Sequence, residues 1–248
     1  MKIKIGLDEA GRGCVLGPLY VGAAVFWSEE DEDYFRKIGV KDSKQLTAEK
    51  RDSLFLEIKK HCYSTYETIS VEEIDNGNLN DLEFNVMVSL AKKVMCQCTA
   101  AYFIEREFTL YIDCPDQDTE SHAKRIKNAL PHSCSVDVIS EHKADDKFVV
   151  VGASSIVAKV LRDREIDRIK NLYLSEYGDF GSGYPSDVRT RNFLEKYYEI
   201  NKKFPIETRM KWGTIEKIRK GANSENSKSS WEGVWDYTKN GQRNSQSY

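Results

Sequence analysis

The apolar run from Ile3 to Leu7, with Lys4 inside it, reads as a strand that stops at two adjacent carboxylates, Asp8 and Glu9. A second apolar run, Leu19 to Phe26, follows the turn signal Gly17-Pro18, and the two strands are expected to pair as a hairpin. The acidic cluster Glu29 to Asp33 reads as a surface segment. A helix is predicted from about Thr47, its N-cap, to His61, with Leu54, Phe55, Ile58 and Cys62 on one face. Tyr63 to Ile69 alternates and is rich in β-branched and aromatic residues, so it reads as a strand.

Ser70-Val71-Glu72-Glu73 has the form of a capping box and opens a short helix that Asn76-Gly77 ends. A longer helix begins near Asn80, and Leu82, Val86, Met87, Leu90 and Val94 recur on one face, which makes Met87 a core residue rather than a ligand. Phe108 to Ile112 and Ser135 to Ser140 are the last two strands, separated by a helix over Glu120 to Leu130. From Val149 to Leu174 a helix fits, with small residues (Gly152, Ala153, Ser154, Ser155) where it could lie close on a sheet. A turn-rich stretch, 177–187, leads to helical segments from Arg189 to about Tyr198 and from Gly213 to Lys220. Strands first, then strands alternating with helices, predict an α/β domain on a mixed five-stranded sheet flanked by helices. The expected organisation is a catalytic domain over 1–187, a basic C-terminal helical extension over 188–220, and a polar, mobile tail over 221–248.

Composition narrows this picture. The chain has 248 residues, 40% hydrophobic and 31% charged, and no apolar run approaches the roughly 20 residues of a membrane helix. The Met1-Lys2-Ile3-Lys4 start, leading directly into a strand, does not read as a signal peptide. Six scattered cysteines lack zinc-finger spacing and read as reduced thiols of an intracellular, cytoplasmic protein. The net charge of −3 is uneven: residues 186–220 hold ten Lys/Arg against five Asp/Glu, a local balance of +5. A local basic face, not the whole-chain sum, sets attraction to phosphate.

Three strands each lead to carboxylates: Asp8 and Glu9, Asp113, then Asp145 and Asp146. Strand ends of one sheet lie side by side, so these groups could converge. Oxygen donors without His or Cys favour a hard cation, Mg²⁺ or Mn²⁺, and pairs of such ions serve in-line attack of water on a phosphodiester. Beside the first pair, Gly11-Arg12-Gly13 offers backbone free of Cβ atoms and a guanidinium suited to phosphate.

Gly6-Leu7-Asp8-Glu9-Ala10-Gly11-Arg12-Gly13 with Gly17-Pro18 resembles the opening motif of type 2 ribonucleases H (ribonuclease HII). The resemblance continues in Asp42-Ser43-Lys44-Gln45-Leu46, Tyr111-Ile112-Asp113 and Glu141-His142-Lys143-Ala144-Asp145. It extends through Val150 to Asp163 and the loop Tyr177 to Asp187, spanning roughly residues 3–215. Within the family it looks most like the archaeal and eukaryotic branch. It implies a ribonuclease H-like fold, hydrolysis of RNA in RNA–DNA hybrids to 5′-phosphate and 3′-hydroxyl ends, and incision 5′ to a single ribonucleotide in duplex DNA. It implies that Asp8, Glu9, Asp113 and Asp145, not Asp146, hold the metal. It maps reading of the ribose 2′-hydroxyl and adjoining phosphate to Gly11, Arg12 and Gly13, and packing on the next sugar to Tyr184. Cys14, and Phe148-Val149 in place of Tyr-Pro, are mild departures from the family's pattern.

Charge and placement add Lys44 and Lys143 as phosphate contacts. Arg189, Arg191, Lys202, Lys203, Arg209 and Lys211 are expected to form a backbone-binding face. His142 reads as a loop histidine beside the site and Trp212 as packing. A DNA nuclease or strand-transfer enzyme would use the same carboxylates, and a binding protein would lack one of them. The expected partners are RNA–DNA hybrid and ribonucleotide-containing duplex, with the chain a monomer and accessory subunits, as in eukaryotic relatives, left open.

Overall fold

Ile3, Ile5 and Leu7 have no exposed surface, because the strand that carries them is the centre of the sheet. The computed structural model describes residues 2–40, 46–100, 107–132 and 135–222. β1 (Lys2–Ala10) lies between β2 (Leu19–Phe26) and β4 (Glu107–Asp113), with β3 (Tyr63–Ile69) and β5 (Ser135–Glu141) at the edges, in the order β3-β2-β1-β4-β5. β1 runs antiparallel to β2, as the hairpin reading expects, and parallel to β4; β4 and β5 are also parallel, so the sheet is mixed.

Both faces are covered. On one side α4 (Leu79–Ala100) sets Met87, Leu90, Ala91 and Val94 against Ile3, Ile5 and Leu7, and α5 (Thr119–Ala129) adds Ile126. On the other side α7 (Val149–Tyr177) crosses β1 and β2, flanked by α1 (Glu29–Ile38) and α2 (Ala48–His61). A Cβ on Gly6 would lie 2.2 Å from the Val150 carbonyl oxygen, and one on Gly22 would lie 2.4 Å from that of Ser154. The sheet therefore supplies the space into which the α7 backbone settles, and the small residues of α7 are only half of that contact.

Three elements go beyond the sequence reading. The surface segment Glu29 to Asp33 is helical, the start of α1, with Glu29, Glu30 and Asp33 exposed. Ser28 and Asp31 form a capping box there, and the acidic residues sit at the positive end of the helix dipole. Lys4 explains the local excess of acid, since its ammonium lies 2.8 Å from Glu29 and 2.6 Å from Glu32. α7 continues three residues past Leu174 before Gly178 ends it at φ +80°. A single helical turn, α6 (Ala144–Lys147), carries Asp145 immediately before α7.

Among the described residues the remaining helices are α3 (Val71–Asn76), α8 (Val188–Asn201) and α9 (Gly213–Ala222). Phe193, Leu194, Phe204, Ile215 and Ile218 share one apolar cluster with Val15, Leu16, Ile166 and Ile169. The C-terminal segment is thus packed on the loop that follows β1. Leu16 pairs with Thr208 as an isolated antiparallel bridge, and the Gly17 amide donates to Glu207. The tail beyond 222 lies outside the described residues.

Candidate active site

β1 and β4 are parallel with Leu7 opposite Ile112, so their next residues, Asp8 and Asp113, emerge side by side at the same sheet edge. One carboxylate oxygen from each of Asp8, Glu9 and Asp113 lies within 4.8 Å of the others. Asp145 is outside that group of three. It approaches from α6, is 1% exposed, and its charge still acts on Asp8. The Ala144 amide donates to Asp113 Oδ1 at 2.7 Å, which ties the α6 turn to the end of β4.

Asp8 is buried, and burial, followed by the charge of Asp113, pushes its carboxyl up to about 7; the Ser155 hydroxyl and Lys159 oppose the shift. Burial, then the neighbouring Asp8 charge, raises Glu9 well above the usual carboxylate range. Lys159 reaches in from α7, with its Nζ 2.6 Å from Ser155 Oγ and 3.7 Å from Asp145 Oδ2. Glu9 Oε2 is buried with no hydrogen-bond partner among the described residues. Anions crowded against one another, with a buried oxygen left over, suit a hard cation. The donor set is oxygen throughout, so the residues fit Mg²⁺ or Mn²⁺.

The Gly11-Arg12-Gly13 turn begins where β1 ends. Gly11 adopts φ +90°, a left-handed conformation that favours glycine, and its carbonyl accepts from the Cys14 amide at 3.2 Å. Gly13 is exposed, and the Arg12 and Gly13 amides have no protein acceptor among the described residues. The Arg12 guanidinium is turned toward α4, donating from Nε to Glu83 Oε2 at 2.8 Å and from Nη2 to Asn80 Oδ1 at 2.5 Å. Within the turn Gly11 is buried, Arg12 half-buried and Gly13 exposed, so the Gly13 backbone is the part open to solvent.

Tyr184 stands next to the turn: a Cβ on Gly13 would come within 3.8 Å of its ring. The Arg162 guanidinium lies 4.8 Å from the centre of the Tyr184 ring, and its Nη2 donates to Cys14 Sγ and the Ser182 carbonyl. Burial, followed by the neighbouring Cys14 thiol, pushes the Tyr184 hydroxyl up to about 12, so it stays neutral.

Lys143 is exposed and holds φ 54°, unusual outside glycine, at the start of α6. His142 is exposed. Lys44 lies outside the described residues, with most of its motif. Of the expected basic face, Lys202, Lys203 and Lys211 are exposed. Arg189 is exposed as well and pairs with Asp179 at 3.0 Å, while Arg191 is half-buried and donates to the Pro185 carbonyl at 2.6 Å. Arg209 contradicts the expectation outright, since it is fully buried and donates to the carbonyls of Gly17 and Arg12, both at 2.8 Å. Trp212 packs as expected and also donates to the Gly13 carbonyl at 3.4 Å.

Sequence reasoning assigned no role to Glu83, Ser155, Lys159 or Arg162. Arg162 and Lys159 lie in a long motif, on a helix whose first half is almost wholly apolar, and that contrast is the available signal. Glu83 gives none, because an acid near a helix start has an ordinary capping explanation.

The ribonuclease HII family model matches residues 5–215. Ribonuclease HII of Pyrococcus abyssi is 43% identical over 220 residues, covering 86% of this chain and 89% of the relative. The solved ribonuclease H2 of Pyrococcus horikoshii superposes with a TM-score of 0.75 at 39% identity, over 89% of this chain and 98% of that one. An Archaeoglobus fulgidus ribonuclease HII, solved in complex with PCNA, gives 0.74 at 36% identity, over 87% and 96%. Motif order, sheet topology and these likenesses agree: the chain belongs to the ribonuclease HII family, endonucleases that act on RNA–DNA hybrids.

Proposed function

We propose that the chain cuts the RNA strand of hybrids and also incises duplex DNA on the 5′ side of a single embedded ribonucleotide, by a two-metal-ion mechanism that leaves 5′-phosphate and 3′-hydroxyl ends. The observation that carries this is the adjacency of the carboxylate cluster, the Gly11-Arg12-Gly13 turn with its exposed Gly13, and the Tyr184 ring. Asp8, Glu9, Asp113 and Asp145 would hold Mg²⁺ or Mn²⁺. Such a pair, when bound, polarises a water and neutralises the leaving 3′ oxygen.

The rest is the work of the chain. Ser155 and Lys159 fix Asp8 and Asp145 from the α7 side. The turn amides of Arg12 and Gly13 are free to meet the 2′-hydroxyl and adjoining phosphate, the groups that distinguish RNA from DNA at a site. Tyr184, backed by Arg162, offers a ring face to the following sugar. Lys143, Lys44 and the exposed Lys202, Lys203 and Lys211 would meet the backbone, which makes binding salt-dependent. We read the protein as an intracellular monomer, to which the PCNA complex of the Archaeoglobus relative adds the possibility of an accessory partner.

The test is a 5′-labelled duplex carrying one ribonucleotide. The product should end in a 3′-hydroxyl one nucleotide before the ribose, and Tyr184→Ala should lose this cut more than hydrolysis of a continuous hybrid. Equal losses would count against the role of Tyr184. Cleavage of an all-DNA control would favour a DNA nuclease on the same fold.

A further inference from the structure

Arg209 is the largest fully buried side chain in the molecule among the described residues, and none of their carboxylates lies within salt-bridge distance of it. Two of its three nitrogens donate to backbone carbonyls of the loop after β1, and Nη2 is buried with no hydrogen-bond partner among the described residues. Nε donates to Gly17 and Nη1 to Arg12, both at 2.8 Å, while the Arg209 amide donates to Val15 at 2.9 Å. A guanidinium placed this way costs desolvation without an ion pair to offset it, and burial lowers it to about 10. Packing alone would be served better by an apolar residue.

The Arg12 carbonyl is one end of the Arg12–Gly13 peptide. No cis bond occurs in the described chain, so that peptide is planar and trans, and its N–H points opposite to its C=O. Fixing the carbonyl toward Arg209 therefore fixes the exposed Gly13 N–H away from the interior. Trp212 donates to the next carbonyl, that of Gly13, and stacks under the guanidinium at 5.0 Å.

We propose that Arg209, from the C-terminal extension, is a positioning residue for ribose selection: it aims the Gly13 amide at the substrate sugar by clamping the Arg12 carbonyl. The inference rests on the reading of the Gly11-Arg12-Gly13 turn as the sugar sensor. The fork spans two carbonyls at once; a lysine ammonium has neither the span nor the planar geometry.

The experiment uses the full chain and two duplexes that differ at one sugar, ribose against 2′-deoxy-2′-fluororibose. The ratio of their incision rates cancels any loss of folded enzyme. In Arg209→Lys this ratio should fall about tenfold or more, with kcat on the ribose duplex reduced more than KM is raised. The Mg²⁺ concentration for half-maximal rate should not move. An unchanged ratio overturns the proposal whatever the absolute rate, and so does loss of all cleavage in a variant that melts like the wild type. Should Arg209→Lys fail to give a cooperative melt, Trp212→Phe, which removes the indole N–H donated to the Gly13 carbonyl and keeps an aromatic ring at the position, is read the same way. A roughly threefold fall is then expected, and no fall overturns the proposal. A wild type that cuts ribose and fluororibose duplexes equally would instead refute the sugar-sensing turn.

Discussion

Arg12 Nε lies 2.8 Å from Glu83 Oε2, and the Glu83 side chain has no exposed surface, so the turn at the end of β1 is tied to α4 by a half-buried ion pair. Burial raises the Glu83 carboxyl, while the Arg12 charge opposes this. Glu83→Ala should release Arg12 to solvent and loosen the turn. Because Arg12 is about one-third exposed, the loss of stability should be that of a charge-assisted hydrogen bond, about 1–3 kcal/mol, and not that of a fully buried pair. Denaturant melts and the KM for a hybrid, expected to rise, check this together.

The sheet glycines make a sharper prediction. Gly6→Ala would place a methyl 2.2 Å from a backbone oxygen of α7, and a backbone cannot swing aside as a side chain can. The helix must shift, taking Ser155 and Lys159 with it. A cost of roughly 3 kcal/mol or more is expected, at the upper end of overpacking, with hybrid hydrolysis reduced even below the melting temperature. A variant with wild-type stability would mean that α7 does not rest on β1 as described.

The acidic cluster should behave as a site that is costly without its cation. In chelator-treated protein Asp113→Asn removes one of the charges that raise Asp8 and Glu9, and its melting temperature should equal or exceed that of the wild type. Added Mg²⁺ or Mn²⁺ should raise the wild-type melting temperature and leave that of the variant nearly unchanged. Calorimetry in both conditions distinguishes this from a merely structural carboxylate, whose loss would lower the melting temperature of the metal-free protein.

Asp187 gives a pH dependence away from the cluster. It caps α8, accepting from the Arg189 amide, and accepts from the Ser182 amide, each at 2.9 Å. Those bonds, Ser182 foremost, hold its carboxyl down at about 2 against an ordinary 3.8. A depressed carboxyl binds fewer protons folded than unfolded. Its contribution is therefore complete above about pH 4 and is lost as pH falls toward 2. Asp187→Ala should cost about 1 kcal/mol at pH 7. The difference from wild type should shrink across that window in urea melts.

Much of this molecule is legible in its sequence, for specific reasons. Strands such as Leu19–Phe26, which follows the turn Gly17-Pro18, and Tyr63–Ile69, which alternates, carry their own signals, and capping residues such as Thr47 and Ser70 mark helix starts. Asp8 and Asp113 could be suspected of meeting because both follow apolar strand runs; β1 in fact continues through Asp8 and Glu9 to Ala10, and only the parallel register shows that the two aspartates are neighbours. What stayed hidden depends on contacts across long separations. Glu29–Asp33 read only as a surface segment, because nothing local reveals that Lys4 pairs with Glu29 and Glu32. Arg209 sits 197 residues from the Arg12 carbonyl that it holds, and in sequence it resembles its exposed basic neighbours. Charge and position cannot separate a lysine facing phosphate from an arginine facing a buried carbonyl; only the fold can.

The most direct measurement of the central claim is cleavage of a duplex bearing one ribonucleotide, by the wild type and by Asp8→Asn, with and without Mg²⁺. The account predicts a single cut 5′ to the ribonucleotide, by the wild type and only with the metal, and a rate at least about a thousandfold lower for Asp8→Asn. An equal rate in chelator, or an Asp8→Asn enzyme as active as the wild type, would contradict it.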